Sequence, residues 1–170
     1  MNVLIVGDSF ASKYNGKYPG WANLLEQDYK VTNLAQPGIS EYKILKQVES
    51  IAIDQFDRCI ISHTSPYRIH TAYHPLHTEG FHKHSDFIYA DVKDRLPDVE
   101  RFFTEYFDLD YAVCIHELLK KQIACLLQHI HTIDTESLGL QELFIQQPGE
   151  VQHLSEDANL KFYNQLRELL

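Results

Sequence analysis

Val-Leu-Ile-Val-Gly-Asp-Ser, residues 3–9, is the stretch that decides the fold of this chain. Its first four residues form a continuous apolar run that ends at a glycine, a pattern typical of a strand buried on both faces of a parallel sheet. Two later runs, residues 30–34 and 58–62, have the same character. Apolar residues at helical spacing separate them, at residues 20–27 and again behind Ser40, a predicted N-cap. This alternation predicts an α/β fold with a parallel sheet.

The rest of the chain is expected to complete a three-layer α/β/α sandwich with a mainly parallel sheet, as in flavodoxin-like folds. We predict a single domain over residues 1–170, because no linker or internal repeat divides the sequence. The elements expected after the third strand are an irregular insertion or cap at 66–100, helices at 102–129 with a break near Asp108, a last strand at 130–133 or 143–145, and a helix at 155–170 capped by Ser155.

The charge balance of the chain excludes two classes of partner. The sequence has 15 Lys and Arg against 24 Asp and Glu, a formal net charge of -9. Nucleic acids and anionic membranes both require a basic face, so we expect neither as a partner. No apolar stretch is long enough to span a bilayer, and the N-terminus lacks the basic and apolar regions of a signal peptide. We therefore expect a cytoplasmic protein that acts on a small molecule or a carbohydrate.

Cysteine usage and motif content argue against cofactor chemistry. Cys59, Cys114 and Cys125 are an odd number without close spacing, which predicts reduced and mostly buried thiols. None of them follows a predicted strand, so we do not expect a thiolate nucleophile. The sequence also lacks the glycine-rich motifs that bind nucleotides. We expect the protein to use no cofactor.

Ser9 is the first candidate for chemistry, because it follows the first strand directly. In parallel sheets, ligands bind beyond the carboxyl ends of the strands, where backbone N–H groups can face a developing oxyanion. The tripeptide Gly-Asp-Ser also favours turns for its own reasons, so its position is more informative than its composition. The segments after the second and third strands, residues 36–38 and 63–65, are expected at the same edge of the sheet.

A serine nucleophile needs a base, and His153 is the candidate that its position favours. His153 precedes the predicted last helix, and Glu150 lies three residues before it. In a turn, that spacing brings a carboxylate to the far nitrogen of the imidazole and fixes its tautomer. A surface histidine beside a solvated glutamate is the alternative interpretation of this pair alone.

Three blocks taken together resemble the SGNH (GDSL-like) hydrolase family. The first block is Leu-Ile-Val-Gly-Asp-Ser-Phe-Ala at residues 4–11, and the second is Asn-Leu-Ala-Gln-Pro-Gly-Ile-Ser at residues 33–40. The third is Glu-Val-Gln-His-Leu-Ser at residues 150–155, where members of the family usually carry Asp-x-x-His-Leu. The resemblance covers the first two fifths and the end of the chain, and the middle matches no pattern we can name.

The resemblance implies ester hydrolysis, with O-acetyl groups on carbohydrates as a common substrate class. It assigns Ser9 as nucleophile, His153 as base, Glu150 as the acid that orients the base, and the N–H groups of Ser9 and Gly38 as oxyanion donors. The sequence departs from the family in having Glu rather than Asp at position 150, which hydrolase triads tolerate. Asp8 is expected to stabilise the turn, and it also stands beside the substrate site.

A larger departure follows the third strand. The family places an asparagine there that completes the oxyanion hole, and this sequence has His-Thr-Ser-Pro-Tyr-Arg at residues 63–68 instead. We expect Ser65 or Thr64 to supply a hydroxyl in its place, with Arg68 and Tyr67 as further substrate-binding candidates. Loss of one oxyanion donor typically costs about 10²–10³ in rate. Two alternatives therefore stay open: a non-catalytic protein of the same fold that binds a carbohydrate or a partner, and an acyltransferase that uses the same residues.

Five histidines fall within residues 70–84, at positions 70, 74, 77, 82 and 84. Imidazoles beside Glu79 and Asp86 suit Zn²⁺, but none of the pairs has the spacing of a known zinc motif. We therefore predict no metal site, and interpret the segment as a polar cap near the active site. Tyr67, Tyr73 and Tyr89 of the predicted insertion are candidates either for stacking on a sugar or for packing the cap.

Overall fold

Four parallel strands form an open sheet in the order β2-β1-β3-β4: β1 (Asn2–Gly7), β2 (Lys30–Asn33), β3 (Arg58–Ser62) and β4 (His131–Asp134). The computed structural model describes residues 1–13, 16–146 and 154–170. The predicted α/β class and the parallel order of the sheet are confirmed. β1 lies between two strands and is buried along almost its whole length, which explains its continuous apolar sequence.

The helices that the structure describes are α1 (Trp21–Leu25), α2 (Glu41–Glu49), α3 (Tyr89–Val92), α4 (Pro97–Glu105), α5 (Leu109–Leu126), α6 (Leu140–Gln146) and α7 (Glu156–Leu169), with one 3₁₀ turn at Ile53–Gln55. Ser155 caps α7 as predicted, and its hydroxyl accepts a hydrogen bond from the N–H of Ala158 at 3.2 Å. Ser40 precedes α2, but its hydroxyl makes no capping bond.

Helices cover both faces of the sheet. On one face, Val3 and Ile5 of β1 belong to a core with residues of α1, α6 and α7, including Trp21 and Phe162. On the other face, Leu4 and Val6 pack with residues of α2 and the C-terminal part of α5. Alternate residues of one buried strand therefore belong to two separate cores, an arrangement compatible with three layers.

The last strand lies at the first of its two predicted positions. β4 occupies residues 131–134, whereas residues 143–145 belong to α6, so the second position is wrong. Leu140 and Leu143 are both buried and stand one helical turn apart, so this segment buries its apolar residues as a helix. The break near Asp108 is confirmed, since the Asp108 carboxylate caps α5 by accepting from the N–H of Tyr111 at 2.9 Å.

The insertion after β3 is anchored by one buried carboxylate. Asp86 is fully buried and accepts hydrogen bonds from the N–H groups of Ser40 at 2.7 Å and Thr71 at 2.8 Å. The ammonium of Lys43 lies 2.8 Å from the same carboxylate. Residues 63–88 contain no helix and only an isolated bridge between Ile69 and Phe87. Asp86 therefore joins this irregular segment to the start of α2.

The prediction of mostly buried thiols is wrong for two of the three cysteines. Cys59 in β3 is buried, but Cys114 and Cys125 are exposed on α5. The apolar residues of α5 do not mark one buried face of the helix, since only His116 and Ile123 are buried. The burial of Cys114 and Cys125 could therefore not be predicted from their apolar neighbours. Burial raises the pKa of the Cys59 thiol to about 12, which leaves it unreactive.

Candidate functional site

A cleft of about 420 Å³ opens at the carboxyl ends of β1, β3 and β4. The chain leaves β1 towards β2 on one side, while β3 flanks β1 on the other. This reversal makes the gap between β1 and β3 the switch point of the sheet, the place where open α/β sheets bind their ligands. The residues that line the cleft include Asp8, Ser9, His63, Thr64, Ser65, Tyr67, Arg68, His116 and Lys120.

The backbone at Gly7 determines how β1 ends. Its φ is +144°, and a Cβ there would lie 2.4 Å from the carbonyl oxygen of Ser62. Only glycine allows β1 and β3 to approach this closely. The buried amide of Gln47, on α2, accepts from the N–H of Gly7 at 2.8 Å and donates to its carbonyl at 3.2 Å. These contacts hold Gly7 in place, and the turn that carries Ser9 begins at this residue.

Asp8 stabilises the same turn from within. Its Oδ1 accepts hydrogen bonds from the N–H of Phe10 at 3.0 Å and from the hydroxyl of Ser62 at 3.2 Å. Burial raises the pKa of Asp8 to about 6, although the Phe10 N–H, the charge of Arg68 and the Ser62 hydroxyl oppose the rise. Asp8 is therefore a buried carboxyl that ties the ends of β1 and β3 together at the edge of the cleft.

Of the two predicted oxyanion donors, Ser9 is among the residues that line the cleft and Gly38 is not. Within the described residues, neither the N–H of Ser9 nor that of Gly38 donates a hydrogen bond to a protein acceptor. The carbonyl of Gly38 is occupied, since it accepts from the N–H of Asp86 at 2.8 Å and from Nη1 of Arg68 at 3.2 Å. Gly38 has a φ of +75°, and a Cβ there would lie 2.7 Å from that of Ser85. Its peptide orientation is thus fixed by the insertion.

A buried carboxylate–histidine pair forms one wall of the cleft. Oε1 of Glu41, in the first turn of α2, lies 2.6 Å from Nδ1 of His63, which follows β3 directly. Oε2 of Glu41 accepts from the N–H of Thr64 at 3.2 Å. The side chains of Glu41 and His63 are only 2% and 7% exposed. A carboxylate on Nδ1 leaves Nε2 of a neutral imidazole as a proton acceptor, the arrangement found in hydrolase triads.

The sequence analysis missed this pair, although a signal was present. Glu41 precedes Ile44, Leu45 and Val48 by three, four and seven residues, so it lies on the apolar face of α2. A carboxylate at such a position is buried and needs partners.

A second imidazole lies on the other side of Glu41. Nδ1 of His116, on α5, is 3.9 Å from Oε2 of Glu41. Burial lowers the pKa of His116, with the charges of Lys120 and His63 acting in the same direction and those of Glu41 and Glu117 opposing them. Burial therefore favours the neutral form of His116. α5 thus contributes a buried polar group to the cleft, although most of this helix is exposed.

The remaining predicted residues of the third-strand segment differ in their availability. The hydroxyl of Thr64 and Nε of Arg68 are buried without a hydrogen-bond partner among the described residues. The hydroxyl of Ser65 accepts from the N–H of Tyr67 at 3.2 Å, and Tyr67 is half-exposed at the mouth of the cleft. Both hydroxyls therefore keep a proton to donate, because the hydroxyl of Ser65 acts only as an acceptor towards Tyr67.

The predicted base and acid, His153 and Glu150, lie outside the described residues. The chain is described again from Leu154, which is buried and lines a small cavity together with Ser9 and Ser12. The amide of Asn159 donates to the carbonyl of Leu154 at 3.1 Å and accepts from the N–H of Trp21 at 2.9 Å. Leu154 is therefore fixed beside Ser9.

An apolar pocket of about 340 Å³ adjoins the cleft and shares Ser65, Pro66, Arg68 and His116 with it. Aromatic residues of α4 and α5, among them Phe102 and Tyr111, line its far side. None of the five histidines of residues 70–84 lines the Ser9 cleft, and only His70 reaches the apolar pocket. These positions give no direct support to the interpretation of the histidines as part of a polar cap near the active site.

Comparison with known proteins gives no family assignment. No protein-family model matches the sequence, and a search of curated proteins finds no match. Among the described helices, none combines the length and apolar character needed to cross a membrane.

Proposed function

We propose that this protein is a serine esterase of the SGNH type, in which Ser9 attacks a small acyl ester. The observation that carries the proposal is the position of Ser9. It follows β1 at the switch point of the sheet and lines a cleft, and its own backbone N–H has no protein acceptor among the described residues. The resemblance of residues 4–11, 33–40 and 150–155 to the family's blocks adds independent support.

The proposed reaction proceeds in two steps. The hydroxyl of Ser9 attacks the ester carbonyl while its proton passes to an imidazole, and the N–H groups of Ser9 and Gly38 stabilise the oxyanion. The imidazolium then gives this proton to the leaving alcohol, and an acyl-serine remains. In the second step water attacks the acyl-serine through the same base, which releases the acid and restores Ser9.

We assign the base to His153 and the orienting acid to Glu150. Leu154, the residue that follows His153 in the sequence, lines a small cavity together with Ser9, which supports this assignment. His63 is a second candidate for the base, because Glu41 binds its Nδ1 and both His63 and Ser9 line the cleft. The two assignments predict different effects of substitution.

The substrate class follows from the site and from the resemblance. The cleft has both polar and apolar walls, which suits an ester of a polar alcohol. An O-acetyl group on a carbohydrate fits this description and is common among family members. In the proposed reaction the proton transfers and oxyanion stabilisation are assigned to this chain's own residues, without a cofactor.

Hydrolysis of an aryl acetate tests the proposal. We expect Ser9→Ala and His153→Ala to reduce kcat by at least about 10³-fold, towards the rate in buffer. Ser50→Ala, at an exposed residue whose hydroxyl donates to the carbonyl of Gln47 and which does not line the cleft, is the control and is expected to retain wild-type activity. His63→Gln separates the two bases: a loss of tenfold or less supports His153, and a loss equal to that of Ser9→Ala transfers the role to His63.

The same assay distinguishes the two alternatives. A wild-type protein that is no faster than Ser9→Ala contradicts the esterase and favours a binding protein of this fold. Release of aryl alcohol with the acetyl group recovered on an added sugar favours acyl transfer, since an alcohol then replaces water in the second step. Both outcomes are read from the identity of the acetylated product.

A further inference from the structure

The histidine-rich insertion contains a cluster of metal-ligand atoms that the proposed esterase chemistry does not use. His74, His77 and Asp91 each place one potential ligand atom within 4.8 Å of those of the other two. Nε2 of His77 is 3.8 Å from Oδ2 of Asp91, and the rings of His74 and His77 have centroids 4.4 Å apart. Glu79 and Asp86 are closer to these histidines in the sequence, but Asp91 of α3 provides the carboxylate of the cluster.

The second observation is an unsatisfied nitrogen. His74 is only 2% exposed, and its Nε2 is buried without a hydrogen-bond partner among the described residues. Its Nδ1 accepts a long hydrogen bond of 3.3 Å from the N–H of Leu76. A buried polar atom without a partner destabilises a protein by about 1–3 kcal/mol. A ligand for Nε2 removes that penalty.

The backbone explains how two imidazoles come together. His74 and His77 stand at the ends of a turn in which the N–H of His77 donates to the carbonyl of His74 at 3.1 Å. Pro75, which follows His74 in this turn, has a φ that its ring restricts. Phe87 packs against the ring of His74 from the other side, at 4.8 Å between centroids. The two histidines are therefore placed by packing and by a hydrogen-bonded turn.

We propose that His74, His77 and Asp91 bind a divalent transition-metal ion, for which Zn²⁺ is the best match. Two imidazoles and one carboxylate are a common zinc ligand set, with water at the fourth position. Tetrahedral ligands lie about 3.4 Å from one another, so the side chains need to close by roughly 1 Å. Coordination through Nε2 of His74 moves the ring proton to Nδ1 and gives up the long bond from Leu76.

The charges around the cluster favour a cation only in part. Asp91 is a ligand and Asp86 is close to His74, whereas Arg95 opposes a positive ion and Lys43 already pairs with Asp86.

The ion would join α3 to the turn at residues 74–77 and so stabilise the insertion, which reaches the Gly38 loop through Asp86. This inference does not depend on the esterase proposal.

Titration of the metal-free, untagged protein with Co²⁺, and displacement of Co²⁺ by Zn²⁺, tests the site. We expect one ion per chain, the visible ligand-field bands of Co²⁺ bound to nitrogen and oxygen, and a Zn²⁺ dissociation constant below about 10 µM. At a Zn²⁺ concentration about 100 times that constant, the Tm should rise by about 5–10 °C. Neither readout requires catalysis.

Two ligand variants and one matched control complete the test. His77→Ala and Asp91→Asn, at half-buried positions, should weaken Zn²⁺ binding at least about 10-fold, because each removes one of three protein ligands. His84→Ala removes an exposed histidine of the same segment and should bind as the wild type does. The proposal is wrong if the wild type binds no ion at these concentrations, or if His84→Ala weakens binding as much as His77→Ala. Circular dichroism of each variant confirms that it is folded.

Discussion

At the scale of single residues, the cleft is built from buried polar groups whose partners are few. Asp8 has two hydrogen-bond donors, Glu41 has one backbone donor and the ring of His63, and the hydroxyl of Thr64 has no partner among the described residues. Polar groups left in this state destabilise the fold. Such groups are retained where a ligand or a reaction uses them. A substitution at one of these positions is therefore expected to affect activity and stability differently.

Thr64→Val is expected to separate the two properties. Removing a buried hydroxyl without a partner should leave the free energy of unfolding unchanged or raise it slightly. If this hydroxyl donates to the oxyanion, kcat should fall about 10–100-fold, since one donor is lost. Kinetics and urea unfolding of the variant measure both. Ser65→Ala tests the other candidate hydroxyl, which accepts from the N–H of Tyr67 but keeps its own proton, and an equal or larger loss of kcat there would count against Thr64.

Asp8→Asn is expected to change how stability depends on pH. Burial raises the pKa of Asp8 from 3.8 to about 6, so the folded state binds this proton more tightly than the unfolded state does. Protonation of Asp8 therefore adds up to about 3 kcal/mol to the free energy of unfolding below about pH 4. This contribution is lost as the pH rises through 6.

Asparagine keeps the acceptor for Phe10 and Ser62 but carries no charge. Relative to wild type, Asp8→Asn should gain most of that free energy between pH 4 and pH 7.5, as measured by urea unfolding across this range. Asp54→Asn, at an exposed carboxylate, provides the baseline. A difference between Asp8→Asn and wild type that does not vary with pH would show that Asp8 ionises normally in the folded state.

At the scale of elements, α2 does more than cover the sheet. Its buried face carries two polar residues among the aliphatic ones, Glu41 towards His63 and Gln47 towards Gly7. Both contacts reach the carboxyl ends of strands, so α2 connects the core to the cleft. The helix was predictable from its apolar spacing. The roles of Glu41 and Gln47 were not, because they depend on where His63 and Gly7 lie in the folded chain.

Gln47→Ala should destabilise the protein by about 2–4 kcal/mol, because it removes both hydrogen bonds to Gly7 and leaves a small cavity. Gln122→Ala, on the exposed side of α5, should change the free energy of unfolding by less than about 0.5 kcal/mol. Chemical denaturation of the two variants measures the difference. Equal stability of the two variants would mean that the Gln47 amide does not stabilise the end of β1.

The strands and most helices were predictable because their signals are local. Runs such as residues 3–6 and 58–62 carry the buried-strand pattern in themselves, and Ser155 and Asp108 cap helices within three residues. The insertion was not predictable in detail, because its anchor Asp86 bonds to Ser40, 46 residues away. Likewise, Asp91 could not be linked to His74 and His77 from spacing alone.

At the scale of the whole molecule, the order β2-β1-β3-β4 assembles the site. It brings Ser9 from the end of β1, His63 from the end of β3 and His116 from α5 to one cleft, although more than 100 residues separate the first from the last. The sequence predicted that Ser9 would follow a strand at this edge of the sheet, and it does. It missed the Glu41–His63 pair, because a helix start and a strand end meet only in the folded chain.

Covalent trapping of Ser9 is the most direct test of the account. An alkyl fluorophosphonate reacts with an activated serine hydroxyl, forming an oxygen–phosphorus bond and releasing fluoride. If Ser9 is the nucleophile, intact mass shows a single adduct per chain, which peptide mapping locates on Ser9. The adduct is absent in Ser9→Ala and forms much more slowly in His153→Ala. A folded wild-type protein that forms no adduct, or forms it equally in Ser9→Ala, would contradict the assignment of Ser9 as nucleophile.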